Sequence, residues 1–379
     1  MQLDGKKRVR IMTKKRVGIL TMYYTNISHG GLLQAYSLCK KIEDLGYEVE
    51  QIKYDYNERF REISFLNKIK KYIKSIPRKL MLWILKDHSY EMYYSYMDEI
   101  PHSKLYRSVD MDSLKDKYDI FVVGSDQVWN SLYCDDYFYF PGIRSKKISY
   151  AASVGRDNLK QAELNSIAKK IKDFSYISVR EKSLRDKLSS VSDKQVDLVC
   201  DPVFLNTAEF WECHLVAPSF KEKYVLVYLL GDDKKEKQKI VELARKTGYK
   251  VVTVPNVNLH AKFFDLKASD IVKWNIGPKE FLGLIKNAEL VLTDSFHCVA
   301  FSIIFKKLFY CFDRGGNEKK MNSRLTSILN ILKIEDRFID LTSLSKIDIV
   351  SIDYTSVEKK LENYRKESEL WLKKALEID

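Results

Sequence analysis

Short apolar runs alternate with helix-period stretches along most of this chain. Lys15–Thr21, Glu48–Tyr54, Tyr118–Val123, Lys147–Ala152, Tyr176–Val179, Val196–Val199, Tyr224–Leu230, Lys250–Val254, Glu289–Thr293 and Lys307–Phe312 read as strands, most of them buried on both faces. Helical patterns fill Leu32–Gly46, Asn158–Phe174, Lys234–Gly248, Pro278–Asn287 and Ser356–Ile378. This alternation predicts an α/β protein with two Rossmann-like domains facing a cleft. We expect the first domain over 14–206, with a helical insertion over about 57–110. The second is expected over 221–340, followed by a C-terminal helix over 355–379.

The strands end in polar residues, and those ends are where open α/β sheets bind ligands. Asn287–Phe305 reads as strand, turn and helix, bringing Asp294, Ser295 and His297 together at a helix start that attracts anions. On this segment alone a structural reading stands equally: Asp294 or Ser295 caps the helix and His297 is a half-buried helix residue. Val123–Asn130 (VGSDQVWN) offers Ser125, Gln127 and Asn130 as hydrogen-bonding groups and Trp129 as a flat apolar face, a mixture suited to sugars. Asp126 reads either as a general base or as a turn cap. The turn Asn26–Gly31 places Gly30 and Gly31 where a ligand can approach the backbone, although no dinucleotide-binding GxGxxG is present. Arg180 closes a strand and can grip a carboxylate or phosphate, or pair with Glu181. Arg314, Lys319 and Lys320, with Arg324 after them, read as a flexible anion-binding loop.

Composition narrows these readings. At 379 residues and 45% hydrophobic content the chain suits two domains and excludes disorder. The net charge of +13 implies acidic partners, and Leu66–Lys86 concentrates basic residues between apolar ones. That stretch reads as a peripheral contact with an anionic membrane or as an ordinary amphipathic helix pair kinked at Pro77. No nucleic-acid module accompanies the charge, so no nucleic-acid partner is expected. The scattered cysteines make neither a metal cluster nor a disulfide framework, and Cys298 reads better as a small hydrophobe than as a nucleophile. The basic start lacks the apolar core of a signal peptide, and Met12 is a second candidate start. The expected location is the cytoplasm, with peripheral contact at the inner face of the plasma membrane.

The ordered set Asn26–Ala35, VGSDQVWN, ISYAAS (Ile148–Ser153), SVRE (Ser178–Glu181), DPVFL (Asp201–Leu205) and TDSFHCVAFSI (Thr293–Ile303) resembles the polysaccharide pyruvyl transferase family, over about Val17 to Leu332. The resemblance implies a fold similar to GT-B glycosyltransferases. It also implies transfer of the enolpyruvyl group of phosphoenolpyruvate onto two hydroxyls of one sugar, with phosphate released. The product is a cyclic pyruvate ketal; the acceptor is a lipid-linked capsular or exopolysaccharide precursor, with galactose among the compatible sugars. Phosphoenolpyruvate is the donor substrate, and no cofactor or metal is implied.

On this resemblance His297 is the donor-binding or acid/base histidine, Arg180 holds the donor, and Asp126 is the base. Gln127 and Trp129 line the sugar, with Asn26, Gly30, Gly31, Ser125 and Asn130 on the acceptor side. His297→Ala and Arg180→Ala are expected to abolish turnover and keep the fold. One position departs: many members carry Arg two residues before the histidine, and this chain has Ser295 there. Arg324 and Lys319 are the cations that could take over. A nucleotide-sugar glycosyltransferase and a non-catalytic glycan-binding relative are the competing classes.

Overall fold

The computed structural model describes residues 14–24, 28–56, 89–231, 233–255, 269–314, 322–341 and 349–377. Its frame is two six-stranded sheets, all of whose pairings are parallel. The first contains β1 (Arg16–Leu20), β2 (Glu48–Gln51), β3 (Ile120–Val123), β4 (Lys146–Ala152), β5 (Tyr176–Val179) and β6 (Asp197–Leu198), in the order β2-β1-β3-β4-β5-β6. The second contains β7 (Tyr224–Tyr228), β8 (Lys250–Thr253), β9 (Ile271–Val272), β10 (Leu290–Thr293), β11 (Leu308–Phe312) and β12 (Phe338–Ile339), in the order β12-β11-β10-β7-β8-β9. Both are doubly wound, and the second follows the order typical of dinucleotide-binding folds. The expectation of two Rossmann-like sheets holds. Strand order reverses between β1 and β3 in one sheet and between β7 and β10 in the other, and these switch points are where such sheets open a crevice.

The helices are α1 (His29–Asp44), α2 (Ser89–Asp98), α3 (Gln161–Lys170), α4 (Lys182–Ser189), α5 (Ala208–Glu212), α6 (Lys234–Arg245), α7 (Pro278–Asn287), α8 (Phe296–Ile304), α9 (Ser323–Leu332) and α10 (Tyr354–Leu376). α8 is buried at every residue, consistent with its almost wholly apolar sequence. It packs between the halves: Phe301 meets Trp211 edge-to-face at 5.0 Å, and both belong to one core cluster that also contains Leu33 and Leu38 of α1.

Two expectations change. α1 starts at His29 rather than Leu32, because Ser28 takes the cap position and its hydroxyl accepts from the Gly31 N–H. Gly30 and Gly31 therefore lie in the first helical turn. The insertion is not helical throughout to residue 110: between α2 and a 3-10 turn at Ser108–Leu114 the chain is extended, with His102 and Tyr106 bridging parallel to Gln51 and Tyr54. The cause is the exposed edge at β2, whose continuation bonds to this segment from the Gln51 N–H to Pro101 and from the Tyr106 N–H to Lys53. The stretch Leu66–Lys86 lies outside the described residues.

Finally, α10 returns to the first sheet. Ser368 Oγ accepts from the Cys200 N–H, Trp371 Nε1 donates to Asp197 Oδ2, and the Tyr47 hydroxyl donates to the Leu376 carbonyl.

Candidate active site

The site is assembled where the two switch points meet. After β3 the chain turns sharply at Gly124, with φ +118°, and a Cβ there would stand 2.1 Å from the Tyr150 carbonyl oxygen. The turn is fixed by a buried chain: Gln34 Nε2 donates to Thr21 Oγ1, Thr21 Oγ1 donates to the Ser125 carbonyl, and the Ser125 N–H donates to Gln34 Oε1. Asp126 follows with φ +68° and so directs its carboxylate away from the strand.

Arg180, at the end of β5, is the hub. Its Nη2 lies 2.9 Å from Asp126 Oδ1, its Nη1 2.5 Å from Asp201 Oδ2 and its Nε 3.3 Å from Glu181 Oε1. The guanidinium also sits 4.8 Å from the Phe296 ring centroid. Burial alone works against its charge, but the three carboxylates outweigh burial and raise its pKa. Burial pushes Asp126 upward as well, yet Arg180, His297 and Arg324 together hold it below the ordinary carboxylate range. Glu181 goes the other way: burial dominates over Arg180, the Ser153 hydroxyl and Arg324, and its pKa is raised. Two carboxylates on one guanidinium are thus shifted in opposite directions.

His297 reaches the cluster from the second sheet, in the first turn of α8 after β10. Its Nε2 stands 3.8 Å from Asp201 Oδ2, too far for a hydrogen bond, and is buried without a hydrogen-bond partner. Burial lowers its pKa, with Asp201 and Asp126 pulling the other way. Its ring lies against Gly30: a Cβ on that glycine would come within 2.1 Å of Nδ1. Arg324, from the first turn of α9, is buried, and its Nε has no hydrogen-bond partner. Asp126 and Glu181 pair with Arg180 instead. Burial, then Arg180 and Arg314, lower the Arg324 pKa to about 10.

Several residues singled out from the sequence prove to build this site rather than face it. Trp129 is 2% exposed and stacks on Tyr139 at 5.9 Å inside the core, so its ring presents no face to a sugar. Asn130 is buried and makes the turn, donating to Gln127 Oε1 and accepting from the Leu132 N–H. Ser125 is fully buried, donating to the Ala151 carbonyl and lying 3.2 Å from Asp201 Oδ2. Gln127 remains half-buried at the rim, against Gly155. Asp294 accepts from the Leu230 and Gly231 N–H groups and ties β7 to β10. Ser295 holds the cap position of α8 without a side-chain cap bond. Burial raises the Cys298 thiol to about 12, which suits a core residue. Arg324 belongs to a helix, not to a flexible loop. Asn26 and Lys319 lie outside the described residues.

Sequence reasoning quoted Asp201 in a motif but gave it no role, and treated Glu181 only as a partner for Arg180. Their polar position at strand ends was the available signal. What it could not convey is that both converge on one guanidinium. No group of three or more His, Cys, Asp or Glu that could hold a metal occurs among the described residues.

Two doubly wound sheets with a buried Arg–carboxylate–His cluster beside their switch points make this an α/β protein of two Rossmann-like halves, with its candidate site where such sheets bind ligands. The family model for polysaccharide pyruvyl transferase matches residues 29–316, and the chain belongs to that family of enzymes. No curated protein sequence matches the chain. Among solved structures, it is similar to UDP-GlcNAc 2-epimerase from Methanocaldococcus jannaschii, with 14% identity, 92% of each chain covered and a TM-score of 0.49. UDP-GlcNAc 2-epimerase from Neisseria meningitidis has 12% identity over 96% of this chain and 94% of its own, with a TM-score of 0.44. The activities in those names remain those proteins' own.

Proposed function

We propose that this enzyme transfers the pyruvyl group of phosphoenolpyruvate onto two hydroxyls of a sugar in a lipid-linked polysaccharide precursor, galactose being one candidate. The observation that carries this reading is a pair of buried basic groups, Arg324 Nε and His297 Nε2, that lack hydrogen-bond partners beside an ionised Asp126. Buried polar atoms are rarely left unsatisfied, and an anionic ligand satisfies both. A donor bearing phosphate and carboxylate fits such a site better than a neutral one.

In the proposed reaction the first hydroxyl oxygen bonds to C2 of the donor while Asp126 takes its proton, and that proton passes on to the methylene carbon, leaving Asp126 ionised again. The C2–O bond to phosphate then breaks, and the second hydroxyl closes the ketal, its proton leaving with phosphate. His297 and Arg324 bear the phosphate charge. Arg180 holds Asp126 in place and keeps it ionised; with three carboxylates on its guanidinium, its contribution to the donor is secondary. Gln127 is the acceptor-side residue we retain. The basic stretch Leu66–Lys86 would bring the enzyme to the anionic inner membrane surface where a lipid-linked acceptor resides. No described helix is long and apolar enough to cross a membrane.

The test is incubation with phosphoenolpyruvate and candidate galactosides, following released phosphate and the acceptor's gain in mass. Both should appear together in the wild type and vanish in His297→Ala. Thermal stabilisation by UDP- or GDP-sugars, with none by phosphoenolpyruvate, would replace this reading with a glycosyltransferase.

A further inference from the structure

Arg324 is the second residue of α9, so it enters the cluster only if the first turn of α9 sits against the first sheet's half. Two hydrogen bonds between the halves hold it there. The Ser323 N–H donates to Asp157 Oδ2 at 3.2 Å, and the Lys182 N–H donates to Ser327 Oγ at 3.2 Å. Each helix thus has a first-turn N–H satisfied from the opposite half. The residue in the cap position of α9 does not do this work: Asn322 makes no side-chain cap bond, and its amide donates to Asp313 Oδ1. Asp157 is itself anchored, since its carbonyl accepts from Lys187 Nζ of α4.

Charge points the same way. A guanidinium in the first turn of a helix meets the positive end of the helix dipole, which disfavours it. A carboxylate capping that end from outside offsets part of the penalty. Asp157 supplies it, and its Oδ1 is buried without a hydrogen-bond partner.

We propose that Asp157 is a positioning residue of the donor site: without touching substrate, it caps α9 from the opposite half and so sets the Arg324 guanidinium beside Asp126 and Glu181. This rests on the assignment of Arg324 to the donor phosphate made above. The consequence is that donor affinity depends on a bond between the two halves of the molecule.

The experiment is a calorimetric titration of phosphoenolpyruvate into the wild type, Asp157→Ala, Asp157→Asn, Arg324→Ala and the double variant Asp157→Ala/Arg324→Ala. Arg324→Ala should weaken binding about 10- to 100-fold, and Asp157→Ala about 3- to 10-fold. The double variant should bind no worse than Arg324→Ala alone, because there is no guanidinium left to position. Asp157→Asn should recover most of the affinity, its amide oxygen accepting the same N–H. Additive losses in the double variant, or an Asp157→Asn as damaged as Asp157→Ala, overturn the proposal while leaving the donor reading intact. A wild type that does not bind phosphoenolpyruvate overturns the donor reading itself, and this inference with it. If Asp157→Ala does not fold, Asp157→Ser enters the same cycle, its side chain too short to reach the Ser323 N–H.

Discussion

The imidazole of His297 rests on the bare α-carbon of Gly30, and any Cβ there would overlap the ring at 2.1 Å from Nδ1. A residue of the first helix thereby fixes a catalytic candidate on the eighth.

Gly30→Ala tests that contact. Alanine is the better helix former, so the backbone gains and only the steric clash opposes it. We expect a stability loss of about 1–3 kcal/mol from overpacking. Turnover should fall further than that loss explains, because the ring must move. Chemical denaturation and steady-state rates measured together decide it; wild-type turnover would show that His297 tolerates displacement.

Arg180→Ala was expected from sequence to spare the fold. The structure predicts the reverse, because three buried carboxylates would lose their shared cation. The cost should be about 3–5 kcal/mol. A melting temperature equal to wild type would refute this account of the hub.

Arg324→Met should behave oppositely. It removes a buried guanidinium whose Nε has no hydrogen-bond partner, so the ligand-free protein should gain stability while phosphoenolpyruvate no longer raises its melting temperature. A destabilised ligand-free variant would mean that Arg324 serves packing.

His29 offers a pH test. It stacks on Phe281 at 4.4 Å, with the Tyr93 hydroxyl 2.8 Å from Nδ1, and burial lowers its pKa to about 3. Between pH 6.5 and about 3 the unfolded chain binds the proton that the folded one refuses, so stability falls as pH falls through that window. The slope is at most about 1.4 kcal/mol per pH unit. Replacing both polar partners in His29→Phe/Tyr93→Phe should flatten the decline in melting temperature between pH 6 and about 4. An unchanged slope would assign acid sensitivity elsewhere.

Much of the fold was legible because buried parallel strands are nearly pure apolar runs and surface helices carry a 3.6-residue period: the strand Tyr176–Val179 and the helix Pro278–Asn287 appear at the expected bounds. The two-residue strands Ile271–Val272 and Phe338–Ile339 were not, being too short to carry a period. At the site, His297, Asp126, Arg180 and Arg324 were found by type and by their place at element ends. The roles of their neighbours were not. Trp129 reads like a sugar platform until Tyr139 covers it, and Asp157 looks like any loop acid until α9 arrives from more than a hundred residues downstream. Such roles depend on contacts between distant segments, which local patterning does not encode.

The return of α10 to the first sheet bears on how the chain is made. Domains usually fold in the order in which they leave the ribosome. Here the backbone beside Asp201 is held by Ser368, so the flank of the first sheet closes only after the second sheet, which lies between them in the chain, has been made. Its aromatic residues Tyr150 and Tyr176 lie beside Trp371 of that helix and stay uncovered until then. The nascent protein therefore carries that flank uncovered while the whole second sheet is being made, and this interval is when a chaperone has most to bind there.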